Sequence, residues 1–150
     1  MTEQSKPIAI GSDHGGFELK NHIVKHLEEN GIAYKDYGIY EEKSADYPDC
    51  ARPVCEAVIN GDSDRGILIC GTGIGISMAA NKFKGIRAAL CSDVYSAKMA
   101  KEHNNANIIC LGGRVTGREL AFMIVDTWLD AEFQGGRHAE RIAKIHKIEE

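Results

Sequence analysis

Short apolar runs alternate along the chain with longer stretches in which apolar residues recur every three or four positions. The short runs predict strands over residues 7–12, 32–37, 65–70, 86–91 and 107–111. The longer stretches predict helices over residues 17–30, 48–60, 93–103, 116–128 and 137–148, and a further helix opens at the glycines after residue 70 and continues through 77–82. This alternation predicts a five-stranded parallel sheet with helices on both faces, because right-handed crossovers place them there.

Individual residues mark where several of these helices begin and end. Gly31 and Gly61 follow two helical patterns and are typical of the position just past a helix. Pro53 lies inside the second pattern, so we expect it to distort that helix if the helix begins as early as residue 48. Residues 116–119, Thr-Gly-Arg-Glu, match a capping box for the helix that follows them.

The carboxyl ends of the predicted strands carry polar and flexible residues. In open parallel sheets, ligands bind beyond these ends, at the point where the strand order reverses. The candidate residues there are Ser12, Asp13, His14, Gly15 and Gly16 after the first strand, Cys70, Gly71, Thr72 and Gly73 after the third, Ser92 and Asp93 after the fourth, and Gly112, Gly113 and Arg114 after the fifth.

The stretch ICGTGIGIS at residues 69–77 places Cys70 at the end of a strand and alternating glycines at the opening of a helix. Unpaired backbone N–H groups at such a junction favour an anion, which could be a phosphate, a developing oxyanion or a cysteine thiolate. A helix N-terminus is also where a cysteine thiol becomes reactive. The other cysteines, at positions 50, 55, 91 and 110, carry no such context, and we expect them to be small buried hydrophobic residues.

Composition narrows the class of protein further. A chain of 150 residues that is 43% hydrophobic predicts one domain covering residues 1–150. The net charge of −4 argues against nucleic acid or an acidic membrane surface as the main partner, and no apolar run approaches the ~20 residues of a membrane span. An odd number of cysteines and a polar start, MTEQSKP, predict a reduced, cytoplasmic protein.

The residues alone leave two enzyme classes open, a dinucleotide oxidoreductase and a thiol hydrolase. A dinucleotide oxidoreductase would need a third small residue in the glycine motif, but Ile76 or Met78 stands there according to the register chosen. A thiol hydrolase could use Cys70 with His14 or His103. An ATPase-type phosphate loop is excluded because no Gly-Lys-Ser/Thr sequence occurs.

Two pairs of residues one helical turn apart carry candidate chemistry. His22 and His26 have a spacing that metal ligands use, but no accompanying Glu or Cys ligand is present, so we expect no metal there. Arg137 and Arg141 can project from the same helix face, where an anion would bind. A thiol hydrolase would leave that arginine pair unused.

Seven motifs in order carry a resemblance that covers nearly the whole chain. They are SDHGG at 12–16, DYP at 46–48, ICGTGIGIS at 69–77, GIRAALCSD at 85–93, EHNNAN at 102–107, LGGR at 111–114 and GGRHAERI at 135–142. Together they resemble the type B ribose-5-phosphate isomerases and their sugar-phosphate isomerase relatives.

The resemblance implies a three-layer α/β/α, Rossmann-like fold and the interconversion of ribose 5-phosphate and ribulose 5-phosphate through an enediolate, with no metal or cofactor. It also implies a homodimer, or a tetramer, with active sites shared between subunits. The helix over about 137–148 would then be exposed or packed on a partner subunit. Allose 6-phosphate and galactose 6-phosphate are alternative substrates, because relatives with the same scaffold use them.

Roles for individual residues follow from the resemblance. The residues that would carry the chemistry are Cys70 as the base, Thr72 with the backbone amides of Gly71, Gly73, Gly75 and Ser77 around the enediolate, Asp13 for the hydroxyl protons and His103 for opening the furanose ring. The residues that would bind the substrate are His14, Arg137 and Arg141 at the phosphate, with Tyr47, Asn104 and Arg114 along the pocket. One branch of the family has a catalytic glutamate where this chain has Gly75, so this chain resembles the branch that uses cysteine.

Overall fold

The computed structural model describes residues 5–150, and all of the predicted strands and helices are present in it. The strands are β1 (Ile8–Ser12), β2 (Tyr34–Asp36), β3 (Gly66–Cys70), β4 (Ala88–Leu90) and β5 (Ile108–Gly112). The helices are α1 (Phe17–Glu29), α2 (Tyr47–Asn60), α3 (Ile74–Ala80), α4 (Val94–Glu102), α5 (Arg118–Asp130) and α6 (Arg137–Ile148), with a single 3₁₀ turn at His14–Gly16.

The strands form one parallel sheet in the order β2-β1-β3-β5-β4. From β1 the chain first adds β2 on one side and then returns to place β3 on the other side. The strand order therefore switches between β1 and β3, and the loops that follow these two strands flank the crevice where a ligand is expected. The predicted fold is confirmed.

Helices cover both faces of the sheet, and neighbouring residues of β3 show how the two layers divide. Ile67 and Ile69 point into the core formed with α1, α4 and α5. Leu68 and Cys70 point into the core formed with α2 and α3. The alternation follows from the two-residue period of a strand, and it places the Cys70 side chain on the α2 and α3 face.

Several predicted boundaries were wrong. The capping box does not form: α5 begins after Gly117, which is extended and makes no side-chain cap. The helix opened by the glycines ends at Ala80 and not at residue 82; it starts at Ile74, as expected, because Gly73 adopts a left-handed φ of 81° that turns the chain directly into the helix. Helix α2 begins at Tyr47 and continues through Pro53. Strands β2 and β4 are shorter than predicted, with three residues each.

Strand β4 lies at the edge of the sheet, and a side chain occupies part of its free backbone. The Asn81 amide nitrogen donates to the Ala88 carbonyl at 2.9 Å, and the Ala88 N–H donates to the Asn81 amide oxygen at 2.8 Å. The Asn81 side chain thus makes the pair of hydrogen bonds that a neighbouring strand would make.

No helix within residues 5–150 is long and apolar enough to cross a membrane. The polar start of the chain lies mostly outside the described residues, since residues 1–4 are not described.

A buried lysine holds the loop that leads from β2 toward the crevice. Lys20 of α1 is fully buried, and its ammonium donates to both Asp36 carboxylate oxygens, at 2.8 and 2.9 Å, and to the Ile39 carbonyl. The same carboxylate accepts from the Gly38 N–H at 2.8 Å. The Gly38 carbonyl in turn accepts from the Ser12 N–H, so the loop is joined to the end of β1.

We expect Lys20→Met to lower the free energy of unfolding by about 3 kcal/mol, because it leaves the Asp36 carboxylate partly buried without its partner. Chemical denaturation followed by circular dichroism measures this change. Arg52→Ala is the control, since Arg52 and Glu56 form an exposed pair at 3.4 Å that is worth about 0.5 kcal/mol or less. Equal unfolding midpoints for Lys20→Met and the wild type would show that the buried pair adds nothing to stability.

Candidate active site

Three loops meet at the carboxyl edge of the sheet, and backbone hydrogen bonds join them. The Asp13 N–H donates to the Ile69 carbonyl at 3.2 Å, which joins the loop after β1 to β3. The Gly113 N–H donates to the Cys70 carbonyl at 2.8 Å, and the Arg114 N–H donates to the Gly71 carbonyl at 2.9 Å. The loops after β1, β3 and β5 therefore form one rigid rim around the crevice.

Glycines allow these loops to come this close. A Cβ on Gly15 would lie 2.8 Å from the Gly71 nitrogen, and a Cβ on Gly113 would lie 2.5 Å from the Gly15 carbonyl oxygen. Both distances are shorter than side chains tolerate against backbone, so a larger residue at either position would push the loops apart.

The Cys70 thiol lies at the floor of this rim. The Gly73 N–H donates to the Cys70 sulfur at 3.1 Å, and the residue is 4% exposed. The sulfur therefore lies at the carboxyl end of β3, at the switch point, with a backbone N–H of the glycine loop directed at it.

The other four cysteines are buried and free, as predicted. Burial raises the pKa of Cys50 to about 11, of Cys55 to about 12 and of Cys91 to about 11. Burial also raises the pKa of Cys110 well above its usual value. These thiols stay protonated near neutral pH and act as small core residues.

Asp13 and His14 open the loop after β1 and face the crevice in a fixed orientation. The Asp13 carboxylate is nearly buried and accepts from the Gly16 N–H at 3.2 Å, so it caps the 3₁₀ turn as well as lying beside the site. The His14 Nδ1 accepts from the Ala45 N–H at 3.2 Å. Because a backbone N–H can only donate, the ring proton of His14 sits on Nε2, where it can be donated to a ligand.

Thr72 and the first residues of α3 surround the thiol from above. Thr72 is exposed, and its hydroxyl oxygen accepts from the Ile74 N–H at 3.2 Å, which leaves its own proton to donate. Tyr47 packs over Gly75, where an added Cβ would lie 2.7 Å from the ring. Tyr47 and Arg114, which lies over Gly71, therefore reach the same rim.

Two of the four predicted backbone donors already have partners in this arrangement. The Gly73 N–H donates to the Cys70 sulfur, as described above. The Ser77 N–H donates to the Gly73 carbonyl at 3.2 Å inside α3, and the Ser77 hydroxyl donates to the Ile74 carbonyl at 2.7 Å. The Ser77 amide is thus bonded within α3, and its contact with an enediolate stays a prediction.

A second cluster of candidate residues forms around stacked imidazoles. The rings of His103 and His138 lie 4.1 Å apart between centroids with an angle of 10° between their planes. His138 is buried next to the exposed Arg137 at the start of α6, and Arg141 follows one turn later. Burial, together with the charges of His103, Arg137 and Arg141, lowers the pKa of His138. The pair of arginines and a neutral imidazole form a basic surface that suits an anion.

His138 was missed by the sequence interpretation although it lies inside the motif GGRHAERI. Its Nε2 atom is buried and has no hydrogen-bond partner among the described residues. A single histidine between two arginines reads as part of a solvated helix face, and only the tertiary contact with His103 reveals its place.

The two clusters lie at opposite edges of the sheet. Cys70 lies at the carboxyl end of β3. Helix α4 ends on the opposite side of the sheet, where the strands begin. The Gly66 N–H marks that side, since it donates to the Asn107 carbonyl at 2.8 Å. His103 and Asn104 follow directly after α4. The length of β3 alone, about 13 Å, separates the two edges. One chain therefore brings together Asp13, His14, Tyr47, Cys70, Thr72 and Arg114, which we name the thiol cluster, and separately His103, Asn104, Arg137, His138 and Arg141, which we name the histidine cluster.

Within residues 5–150 no group of three or more His, Cys, Asp or Glu side chains could hold a metal ion. His22 instead lies 3.9 Å from Glu18, and the His26 Nε2 lies 2.8 Å from an Asp126 oxygen, which links α1 to α5.

Comparison with known proteins matches this arrangement to a family. Residues 8–145 match the model of the ribose/galactose isomerase family. Ribose-5-phosphate isomerase B of Escherichia coli (strain K12) is 53% identical over 145 residues, which covers 97% of each protein. D-erythrulose-4-phosphate isomerase of Pectobacterium atrosepticum is 49% identical over 140 residues, covering 92% of this chain and 91% of that protein.

A solved structure agrees as closely as the sequences do. Ribose-5-phosphate isomerase B of Clostridium thermocellum superposes with a TM-score of 0.94 at 58% identity, covering 95% of this chain and 97% of that one. The match over almost the full length, in sequence and in fold, confirms the resemblance. The chain belongs to the ribose/galactose isomerase family.

Proposed function

We propose that this protein interconverts ribose 5-phosphate and ribulose 5-phosphate, with Cys70 as the base. The observation that carries the proposal is the Cys70 sulfur at the switch point of the sheet, within 3.1 Å of the Gly73 N–H. The similarity to ribose-5-phosphate isomerases B supports the choice of substrate.

The reaction moves one proton between neighbouring carbons and balances without a redox partner. The Cys70 thiolate removes the proton from C2 of the open-chain aldose, and the electron pair forms a C1–C2 double bond while O1 becomes negative. The thiol then returns the proton to C1, and C2 becomes the ketone carbon. Over the whole step O1 gains a proton and O2 loses one, and the nearby Asp13 carboxylate transfers protons between these hydroxyls.

Donors around the thiol stabilise the enediolate. The Thr72 hydroxyl has a free proton, the Gly71 N–H lies on the same loop, and the Gly75 N–H lies in the first turn of α3. Fixed donors of this kind stabilise developing charge more effectively than water does, because they need no reorganisation during the reaction.

The phosphate group binds between the two clusters in this proposal. Arg137 and Arg141 supply positive charge, His138 a neutral imidazole, and His14 an Nε2–H donor. This local basic surface gives a chain with a net charge of −4 a site for an anionic substrate.

A second subunit supplies the missing half of each site. Because His103 stacks on His138, the phosphate-binding arginines belong with His103 and not with the Cys70 of their own chain. A homodimer in which the histidine cluster of one subunit covers the thiol cluster of the other completes both sites. Exposed apolar side chains near the Gly73 loop, at Ile74, Met78, Leu90 and Tyr95, supply a surface for this contact.

A different sugar length is the alternative within the same chemistry. A relative that is 49% identical is named for a four-carbon sugar phosphate, and hexose 6-phosphates differ from the pentose by one carbon. One methylene changes discrimination by only ~1 to 3 kcal/mol. Parallel assays on erythrulose 4-phosphate, ribose 5-phosphate, allose 6-phosphate and galactose 6-phosphate decide the substrate, and the pentose should have the highest kcat/KM.

We expect Cys70→Ala to lower kcat by about 10²- to 10⁴-fold, which is the usual contribution of a general base, with little change in the midpoint of thermal unfolding. Isomerisation in deuterated water should also stop incorporating deuterium into the sugar. Cys55→Ala is the control, because Cys55 is a fully buried core residue of α2. Normal turnover of the Cys70→Ala protein would exclude Cys70 as the base.

Replacing Arg137 or Arg141 by Ala should raise KM about 10- to 100-fold, since a hydrogen bond to a charged group contributes about 1.5 to 3 kcal/mol. Lys should restore only part of the affinity, because an ammonium cannot make the two parallel bonds of a guanidinium. Inorganic phosphate should inhibit competitively. A KM that stays at the wild-type value in both Ala variants would show that α6 does not contact the phosphate.

Mixing variants tests the shared site. Cys70→Ala and His103→Ala chains, each with strongly lowered turnover, should reach about a quarter of wild-type activity after denaturation and refolding together, because about half of the dimers are mixed and each has one intact site.

Pairs from the same cluster are the control. Cys70→Ala mixed with Asp13→Ala should regain nothing, and neither should His103→Ala mixed with the double variant Arg137→Ala/Arg141→Ala. Mixed dimers that form but stay inactive for Cys70→Ala with His103→Ala would place both residues in the site of one chain.

A further inference from the structure

The turn after His103 and Asn104 contains the only non-glycine residue within 5–150 that has a positive φ. Asn105 has a φ of 46°, in the left-handed region. Asn adopts this conformation readily at the ends of helices, and here it closes α4: the Asn105 N–H donates to the Lys101 carbonyl at 3.1 Å and the Ala106 N–H donates to the Ala100 carbonyl at 2.9 Å. The turn directly follows two residues of the histidine cluster.

Two basic side chains hold Asn105 in this conformation. The Arg87 guanidinium donates to the Asn105 carbonyl through Nε at 3.1 Å and through a terminal nitrogen at 2.8 Å. The Lys101 ammonium donates to the Asn105 side-chain oxygen at 3.0 Å. Arg87, directly before β4, therefore fixes the Asn105 carbonyl, and Lys101 of α4 fixes the Asn105 side chain.

Arg87 is itself held in place by its backbone. Its N–H donates to the Asn107 side-chain oxygen at 2.8 Å, and its carbonyl accepts from the Asn107 N–H at 3.1 Å. The guanidinium thus starts from a fixed point at the beginning of β4.

The third nitrogen of the Arg87 guanidinium contacts the last turn of α6. Its remaining terminal nitrogen lies 3.0 Å from the His146 Nε2, and because a guanidinium only donates, this nitrogen of His146 accepts. The His146 Nδ1 then donates to the Glu149 carboxylate at 3.0 Å, and that carboxylate also accepts from the Gly85 N–H at 3.1 Å. Arg87 therefore joins the turn after His103 to the last turn of α6.

Helix α6 is otherwise lightly attached to its own chain. His138 and Ile142 are its only buried residues, and His138 touches the His103 ring. Arg137 lies in the first turn of α6 and Arg141 lies one turn later. The last turn contacts Arg87 through His146. Arg87 therefore joins the last turn of α6 to the turn after His103, and the His103–His138 stack joins that turn to the first turn of α6.

We propose that Arg87 is a positioning residue for the isomerase reaction, which holds His103 and the α6 arginines as one preformed unit. The proposal rests on the proposed function of the histidine cluster. Arg87 touches no reacting atom and acts through the geometry of the Asn105 turn and of α6. A misplacement near 1 Å in such a unit is enough to lower turnover about 100-fold.

Kinetics of paired variants test the proposal. Arg87→Ala should lower kcat about 10- to 100-fold, and Arg87→Lys should restore part of this, since an ammonium reaches the Asn105 carbonyl but not His146 as well. The double variant Arg87→Ala/His103→Ala should have nearly the kcat of His103→Ala alone, because residues that act through one another are not additive. Losses that multiply would overturn the proposal. If Arg87→Ala does not fold, the comparison of Arg87→Lys with Arg87→Lys/His103→Ala takes its place.

Arg65→Ala is the matched control. Arg65 is also a half-buried arginine that donates to a backbone carbonyl, that of Leu129 at 3.4 Å, but it contacts neither the Asn105 turn nor α6. The Arg65→Ala protein should be less stable than the wild type and should keep the wild-type kcat. Equal losses of kcat in Arg65→Ala and Arg87→Ala would show a general effect of destabilisation and would overturn the proposal.

A readout without substrate separates the proposal from the proposed function. The stacked rings of His103 and His138 shift each other's proton resonances, so Arg87→Ala should move both sets of imidazole signals in an NMR spectrum and Arg65→Ala should not. Unmoved signals in Arg87→Ala would overturn the proposal whatever the substrate is. If the signals move in Arg87→Ala but the wild-type protein does not isomerise ribose 5-phosphate, the proposed function is overturned and the positioning role stays in place.

Discussion

The site depends on how closely three strand ends approach one another. Gly15 lies against the backbone of Gly71, and Gly113 lies against the carbonyl of Gly15, with no room for a Cβ at either position. This contact, and the hydrogen bonds that cross it, fix the loop that presents Asp13 and the loop that presents Cys70 relative to each other. No movement of the backbone is then needed to hold Asp13 and Cys70 at the same crevice.

Much of this was predictable because local patterns determine it. The strand and helix order, the switch-point crevice and the role of Gly73 at the opening of a helix all follow from apolar periodicity and glycine placement. The capping box failed because it needs Thr116 as the N-cap residue of α5, and Gly117 occupies that position instead. The sequence could not show that Ser77 uses its amide inside α3, since this depends on where the helix starts.

The separation of the two clusters is a tertiary fact that no motif contains. The motif with His103 and the motif with Cys70 are both specific, but Cys70 follows a strand and His103 follows a helix, so they lie at opposite ends of the strands. A short α/β domain has one carboxyl edge, and the opposite edge usually serves only for stability. In this chain the opposite end of the sheet carries candidate binding groups as well, and Arg87 joins the turn after His103 to α6 there.

The amide of Asn81, which occupies the backbone of Ala88, bears on how copies of this protein can associate. A free edge strand invites another strand, and pairing of that kind has no natural end, because each added chain offers a new edge. With the Ala88 backbone groups satisfied from within, another strand cannot pair with β4 at this position, and a neighbouring chain would have to contact this part of the edge through side chains. Strand pairing accepts almost any extended chain, whereas side-chain contacts select surfaces that fit each other.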